Sequence, residues 1–311
     1  KLYLFIDETQ LISHLEKAIN SLSQHPTIQT EIMITGSNST LLSSELATLL
    51  TGRYIKFLIL PYSYSEYLEQ SNQLMSRNSY LTYLTEGGLP ELTHLQGEEV
   101  KRQYVSSLKD SILLRDIVER YAIKDVALLN TIFLFLVQNT GNLTSINSLV
   151  TYFKAHGQKT NSETLSAYIT YLTQTYLIYP VSRYDIRGKN IISSGKKYFI
   201  NDLSLRTYLH SGFEFGFGQR LENAIYLHYL KLGYHITIGS LGKKEIDFII
   251  EKDSDKKYVQ VAYTLGNKAT IKREFDTLLS INDNYEKIII SLDESPTGNY
   301  AGIKHVQAWT L

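Results

Sequence analysis

The sequence predicts an α/β protein in three parts: a partial parallel sheet, a helical middle, and a second, smaller α/β unit. Three observations lead there. Residues 2–6 (LYLFI) are continuously apolar, as in a strand covered on both faces. Residues 31–37 repeat that pattern, with apolar positions at helical spacing over 11–22 between the two runs. Residues 235–292 return to short apolar strands around one helix.

Taken in order, the first strand ends in Asp7-Glu8, and the second closes on Thr35-Gly36-Ser37. A helix is expected over 39–50, then a third strand over 54–60 stopped by Pro61. Residues 63–121 turn helical, broken by Glu86-Gly87-Gly88-Leu89-Pro90. The apolar stretch 126–138 reads as a helix ended by Gly141-Asn142. Helices over 146–155 and 163–175 follow, the second opened by Thr160 and Glu163 at capping-box spacing. The runs 177–181 and 197–200, on either side of Arg187-Gly188-Lys189-Asn190, suggest a β-hairpin. Three helices and a hairpin are the parts of a winged helix-turn-helix. The tail begins with a helix over 221–233. Strands follow at 235–238, 245–250 and 258–263, then a helix at 271–279 and a strand at 287–292.

Composition narrows the function classes. An apolar fraction of 43% supports a packed core. Lys plus Arg number 31 and Asp plus Glu number 31, which argues against a protein that coats DNA but leaves room for one basic domain. With no cysteine there is no disulfide, zinc–thiolate site or thiol nucleophile, and a cytoplasmic location is expected. No apolar run approaches the ~20 residues of a membrane span. The chain opens on a strand at Lys1, so it reads as a piece whose start lies upstream.

An apolar strand ending in Asp-Glu is the Walker B pattern. Asp7 would hold Mg²⁺ and Glu8 would polarise the water that attacks a γ-phosphate. Ser37 and Asn38 end the next strand, where a polar sensor could bond that phosphate or water; a helix N-cap is the other reading of 37–39. Residues 3–10 (YLFIDETQ), 34–38 (ITGSN) and 41–67 (LLSSELATLLTGRYIKFLILPYSYSEY) resemble a bacterial and archaeal family of AAA-like P-loop ATPases. That family carries a C-terminal domain of unknown function with a restriction-endonuclease-like core. Residues 197–205 (KYFINDLSL), 221–226 (LENAIY), 245–249 (EIDFI) and 259–263 (VQVAY) resemble its tail.

The resemblance implies ATP and Mg²⁺ as cofactors of the intact protein, and places Arg53 near the nucleotide as a candidate for stabilising phosphate charge. One departure is large. No Gly-x-x-x-x-Gly-Lys-[Ser/Thr] loop exists in the sequence, so no nucleotide is expected bound to these residues alone. The strand carrying that loop is expected between the Asp7 and Ser37 strands. Its place would be filled by an upstream segment, another chain or self-association.

In the tail, Glu222, Asp247 and Gln260 match the acidic positions of PD-(D/E)XK nucleases, but Ala262 stands at the lysine position. Lys268 or Lys272 would have to substitute, so a structural role is expected for these acids and no DNA cleavage. The helix over 163–175 carries no Arg or Lys, poor equipment for reading a groove, and is expected to pack internally. The division is 1–122, partial ATPase core with its helical lid; 123–208, winged helix; and 209–311, endonuclease-like domain. The expected activity is ATP binding and hydrolysis coupled to conformational change. The alternative is a DNA-binding or nuclease-like protein.

Overall fold

β1 (Leu2–Ile6) and β2 (Thr30–Ile34) lie side by side and parallel, Leu2 opposite Thr30 and Ile6 opposite Ile34. A computed structural model describes residues 1–9, 12, 15–24, 29–39, 54–210, 216–266, 268–294 and 298–311. The direct ladder corrects the expectation of a strand between these two. Paired strands stand about 4.8 Å apart, which leaves no room for an intervening chain. α1 (Leu15–Ser23) covers one face, burying Leu15 and Ile19 against Ile6, Ile32 and Ile34. On the other face Tyr3, Phe5 and Met33 are exposed.

The third expected strand is also corrected: residues 54–60 have no regular structure. Ile55, Phe57 and Ile59 are 80%, 78% and 86% exposed. Their alternation is strand-like, but a strand also needs a neighbouring backbone to bond, and no ladder reaches these residues. The helix expected over 39–50 lies, beyond its first residue, outside the described residues, as does Arg53.

The helical middle begins with α2 (Tyr64–Ser71), opened by a Ser63–Glu66 capping box, and α3 (Arg77–Glu86). Tyr64, Tyr67, Tyr80 and Tyr83 contact one another edge-on or tilted and join the core of the tail. Past α3, Gly88 is forced to be glycine, because a Cβ there would lie 2.2 Å from the Tyr62 carbonyl oxygen. Its N–H donates to Asp202 Oδ2 at 2.6 Å, and Asp202 Oδ1 accepts from Ser204 N to cap α8 (Leu203–Tyr208). Burial pushes the Asp202 carboxyl up to about 6 against the pull of these donors. A folded-state value above the unfolded one means that stability is fullest at pH below about 4 and falls as pH rises towards 6. The fall expected from Asp202 is about 3 kcal/mol. Urea unfolding from pH 4 to 7 should show that slope in the wild type and its loss in Asp202→Asn; equal slopes would refute it.

α4 (Glu98–Ser111) runs straight into a π-helical stretch, Ile112–Glu119. α5 (Val126–Gln138), β3 (Leu143–Thr144), α6 (Ile146–Ala155) and α7 (Ser162–Gln174) enclose a second core around Leu129, Phe133, Phe153 and Leu165. The cap of α7 is Asn161, not Thr160: its Oδ1 accepts from Thr164 N at 2.8 Å.

β4 (Ile178–Asp185) and β5 (Asn190–Ile200) form the hairpin. After α9 (Phe217–Lys231) come β6 (His235–Leu241), β7 (Lys244–Lys252), β8 (Asp255–Ala262), α10 (Lys268–Leu279), β9 (Glu286–Ser291), β10 (Asn299–Tyr300) and β11 (Ile303–Gln307). Hairpin and tail share one mixed sheet, in the order β10-β11-β9-β8-β7-β6-β4-β5-β3. α9 packs Leu221 and Ile225 with Phe248, Ile250 and Val259, while α10 packs Phe275 and Leu278 with Ile246, Ile249 and Ile289.

Candidate functional site

Parallel pairing brings the ends of β1 and β2 to one edge, and their polar residues meet there. The Thr35 hydroxyl donates to Asp7 Oδ1, and Glu8 N donates to the same oxygen at 3.0 Å. Thr9, buried, donates through both its N–H and its hydroxyl to Thr35 O. Between these anchors Glu8 is held at φ +49°, a left-handed conformation that non-glycine residues seldom adopt. Ser37 and Asn38 follow at the same edge, Asn38 buried.

A cation reaches this edge from the helical middle. Arg115, on the π-helical stretch, places Nη2 3.4 Å from Glu8 Oε1. Its Nε donates to Asp116 Oδ1 at 2.9 Å, and Asp116 is buried. That bond and the Asp116 charge raise the Arg115 pKa further, so the guanidinium stays charged.

A second polar centre lies where β5, α9 and β7 meet. Lys197 is buried, and its ammonium sits 2.8 Å from Glu222 Oε1 and 2.8 Å from Glu245 Oε1. Burial opposes that charge, but Glu222, Asp247 and Glu245 outweigh it and raise the Lys197 pKa. Burial, then the Glu222 charge, raises the Asp247 carboxyl well above the usual range. Its Oδ2 accepts from Val261 N at 2.8 Å, and Gln260 Oε1 accepts from Asp247 N at 3.4 Å. Gly141, at φ +76°, lets the turn before β3 close over this centre; a Cβ there would come within 3.2 Å of Glu222 Oε2. Beside Glu222, buried Asn223 accepts from Thr140 Oγ1 and Ile200 N and donates to Ile200 O. Blocks far apart in sequence (KYFIND, LENAIY and EIDFI) are thus bonded to one another.

Two family models match the chain: an AAA domain over residues 1–68 and a domain of unknown function, DUF8612, over 77–216. An uncharacterized protein of Haemophilus influenzae is 38% identical over 295 residues, covering 94% of this chain and 72% of that protein. An uncharacterized protein of Methanocaldococcus jannaschii is 30% identical over 304 residues, covering 93% of this chain and 65% of its own length. The chain belongs to this AAA-domain family. Both relatives extend beyond the part it spans.

Three residues of this AAA-family chain escaped the sequence reading. Thr35 bonds Asp7; its signal was its place at the end of the strand beside Asp7. Arg115 and Lys197 both lie in the domain of unknown function. Arg115 sits in a helical run (LLRDIVER) with no sequence sign of a tertiary partner. Lys197 brings a cation to Glu222 from a strand well upstream of the Ala262 position where the sequence lacks one. Among the described residues no group of three or more His, Asp or Glu side chains is disposed to hold a metal ion, and no helix is long and apolar enough to cross a membrane.

Proposed function

We propose that the chain is the Walker B portion of an AAA-type ATPase, with the phosphate-binding loop supplied by polypeptide outside these 311 residues. The observation that carries this is the edge where Asp7, Glu8, Thr35 and Arg115 converge. Asp7 presents an exposed carboxylate braced by the Thr35 hydroxyl. One braced carboxylate suits Mg²⁺, which keeps several waters and takes its other ligands from phosphates. Asp7 would hold the ion, which neutralises phosphate charge; Glu8 would orient and polarise the attacking water. The left-handed backbone of Glu8 supports a functional role, since such strain gathers at working sites. Ser37 and Asn38, which follow β2 at the same edge, would contact the γ-phosphate side. Arg115 would carry the state of this edge into the helical middle through its bond to Asp116.

The remaining parts fit a lid up to residue 122, a winged helix over 123–208 and an endonuclease-like tail over 209–311. The order α5-β3-α6-α7-β4-β5 supports the second, and α9 laid across β6–β8 beside Glu222 and Asp247 supports the third. The Lys197 ammonium is already paired with Glu222 and Glu245, which supports a structural role for Glu222.

Turnover is the test. A polypeptide that carries a phosphate loop ahead of Lys1 should hydrolyse ATP with Mg²⁺. Glu8→Gln should lower kcat by on the order of 10²–10⁴-fold while nucleotide stays bound. Normal hydrolysis by that variant would remove Glu8 from its role.

A further inference from the structure

We infer that two neighbouring hairpin tips of the large sheet, residues 186–189 and 242–243, form a docking surface for the phosphate backbone of duplex nucleic acid. β4 and β6 are parallel neighbours, paired from Arg183 opposite Ile238 to Asp185 opposite Ser240. Ile186 N donates to Ser240 O at 3.0 Å, so the turn after β4 and the turn after β6 leave the same sheet edge side by side. Arg187 and Lys189 are exposed on the first tip, and Lys243 and Lys244 on the second. Lys196 is exposed further down β5, and Arg183 stands behind, its Nη2 donating to Ser240 Oγ.

No ion pair holds any of these six cations among the described residues, whereas Lys101, Lys197, Lys231, Lys256 and Lys257 each have a carboxylate partner. Lys244 donates to the Asp276 carbonyl at 2.9 Å, and two acids closest to the tips are engaged. Asp185 Oδ1 accepts from Arg187 N within its own turn, and Glu245 is held by Lys197. A chain with formal net charge +0 thus gathers uncompensated positive charge at one edge.

The geometry points to a duplex backbone and away from the other nucleic-acid modes. Single strands are held on exposed aromatic rings, and the tips offer none: Ile186, Arg187, Gly188 and Lys189 make one turn, Gly242 and Lys243 the other. A recognition helix in a groove relies chiefly on Arg, Lys, Asn or Gln for bidentate base contacts, but the exposed face of α7 carries Ser162, Glu163, Ser166 and Thr170. The contact is therefore to phosphates, positional and without sequence preference. It does not depend on the ATPase reading.

The test is fluorescence anisotropy of a short labelled DNA duplex with the 311-residue chain as it stands. Affinity should fall by on the order of 100-fold between about 50 mM and 200 mM salt, as for release of about four counterions. Arg187→Glu with Lys189→Glu should weaken binding at least about tenfold and reduce the salt slope by about two. Lys243→Glu should act in the same direction, with circular dichroism unchanged for each. An RNA duplex bound equally well would support backbone recognition. Three results would overturn it: no duplex binding at low salt, a preference for single strands, or loss of binding on Lys154→Glu with Lys159→Glu, which lie at and beyond the end of α6, while the tip variants bind normally.

Discussion

Lys197→Met is expected to cost the folded protein about 3–5 kcal/mol, a large share of the stability of any single domain. Methionine fills similar space, so little of the loss comes from packing. It comes from Glu222, whose carboxylate stays in a site where the Lys197 ammonium pairs with it at 2.8 Å, and from Asp247 behind it. Removing one partner of a buried pair costs far more than removing both, because the survivor keeps its desolvation penalty. Glu222→Gln should therefore restore much of what Lys197→Met loses, with a coupling of about 1.5 kcal/mol or more between the two sites. Urea unfolding of the four proteins of that cycle measures it. A loss below about 1 kcal/mol, or simple additivity, would mean that the ammonium does not hold β5 to α9.

The large-scale alternation was legible in the sequence because it rests on local patterns. The apolar runs at 2–6 and 32–34 became β1 and β2, and the apolar stretch 126–138 became α5. What failed depended on neighbours. Residues 54–60 have a strand's alternation but no ladder, because pairing belongs to two segments and only one can be read locally. Placing a strand between β1 and β2 was an error of topology, and periodicity says nothing about strand order. Asp7, Glu8, Glu222 and Asp247 stood out as acids at strand or helix positions. Their cations did not: Arg115 lies 107 positions beyond Glu8 and Lys197 lies 25 before Glu222, and no spacing rule joins them. Thr160 fits the capping-box spacing to Glu163, but the cap falls one residue later, at extended Asn161, and spacing alone does not fix that boundary.

Residues 1–311 by themselves are expected to bind ATP·Mg²⁺ at least ~10³-fold more weakly than the same residues joined to a phosphate loop, a difference of about 4 kcal/mol. In P-loop proteins the triphosphate is held by a row of backbone N–H groups at a helix N-terminus together with a lysine. The edge formed by Asp7, Glu8 and Thr35 offers carboxylates and a hydroxyl instead, which bind the metal and the water and repel bare phosphate. Asp7 and Glu8 therefore gain affinity for nucleotide only through a metal that the phosphates themselves must bring. Isothermal titration calorimetry with ATP and Mg²⁺ measures this directly, on residues 1–311 and on the loop-bearing polypeptide side by side. The expected result is no measurable heat of binding to the first and micromolar binding to the second, weakened by Asp7→Ala when Mg²⁺ is present. Micromolar binding to residues 1–311 alone, or none to the loop-bearing polypeptide, would contradict the assignment.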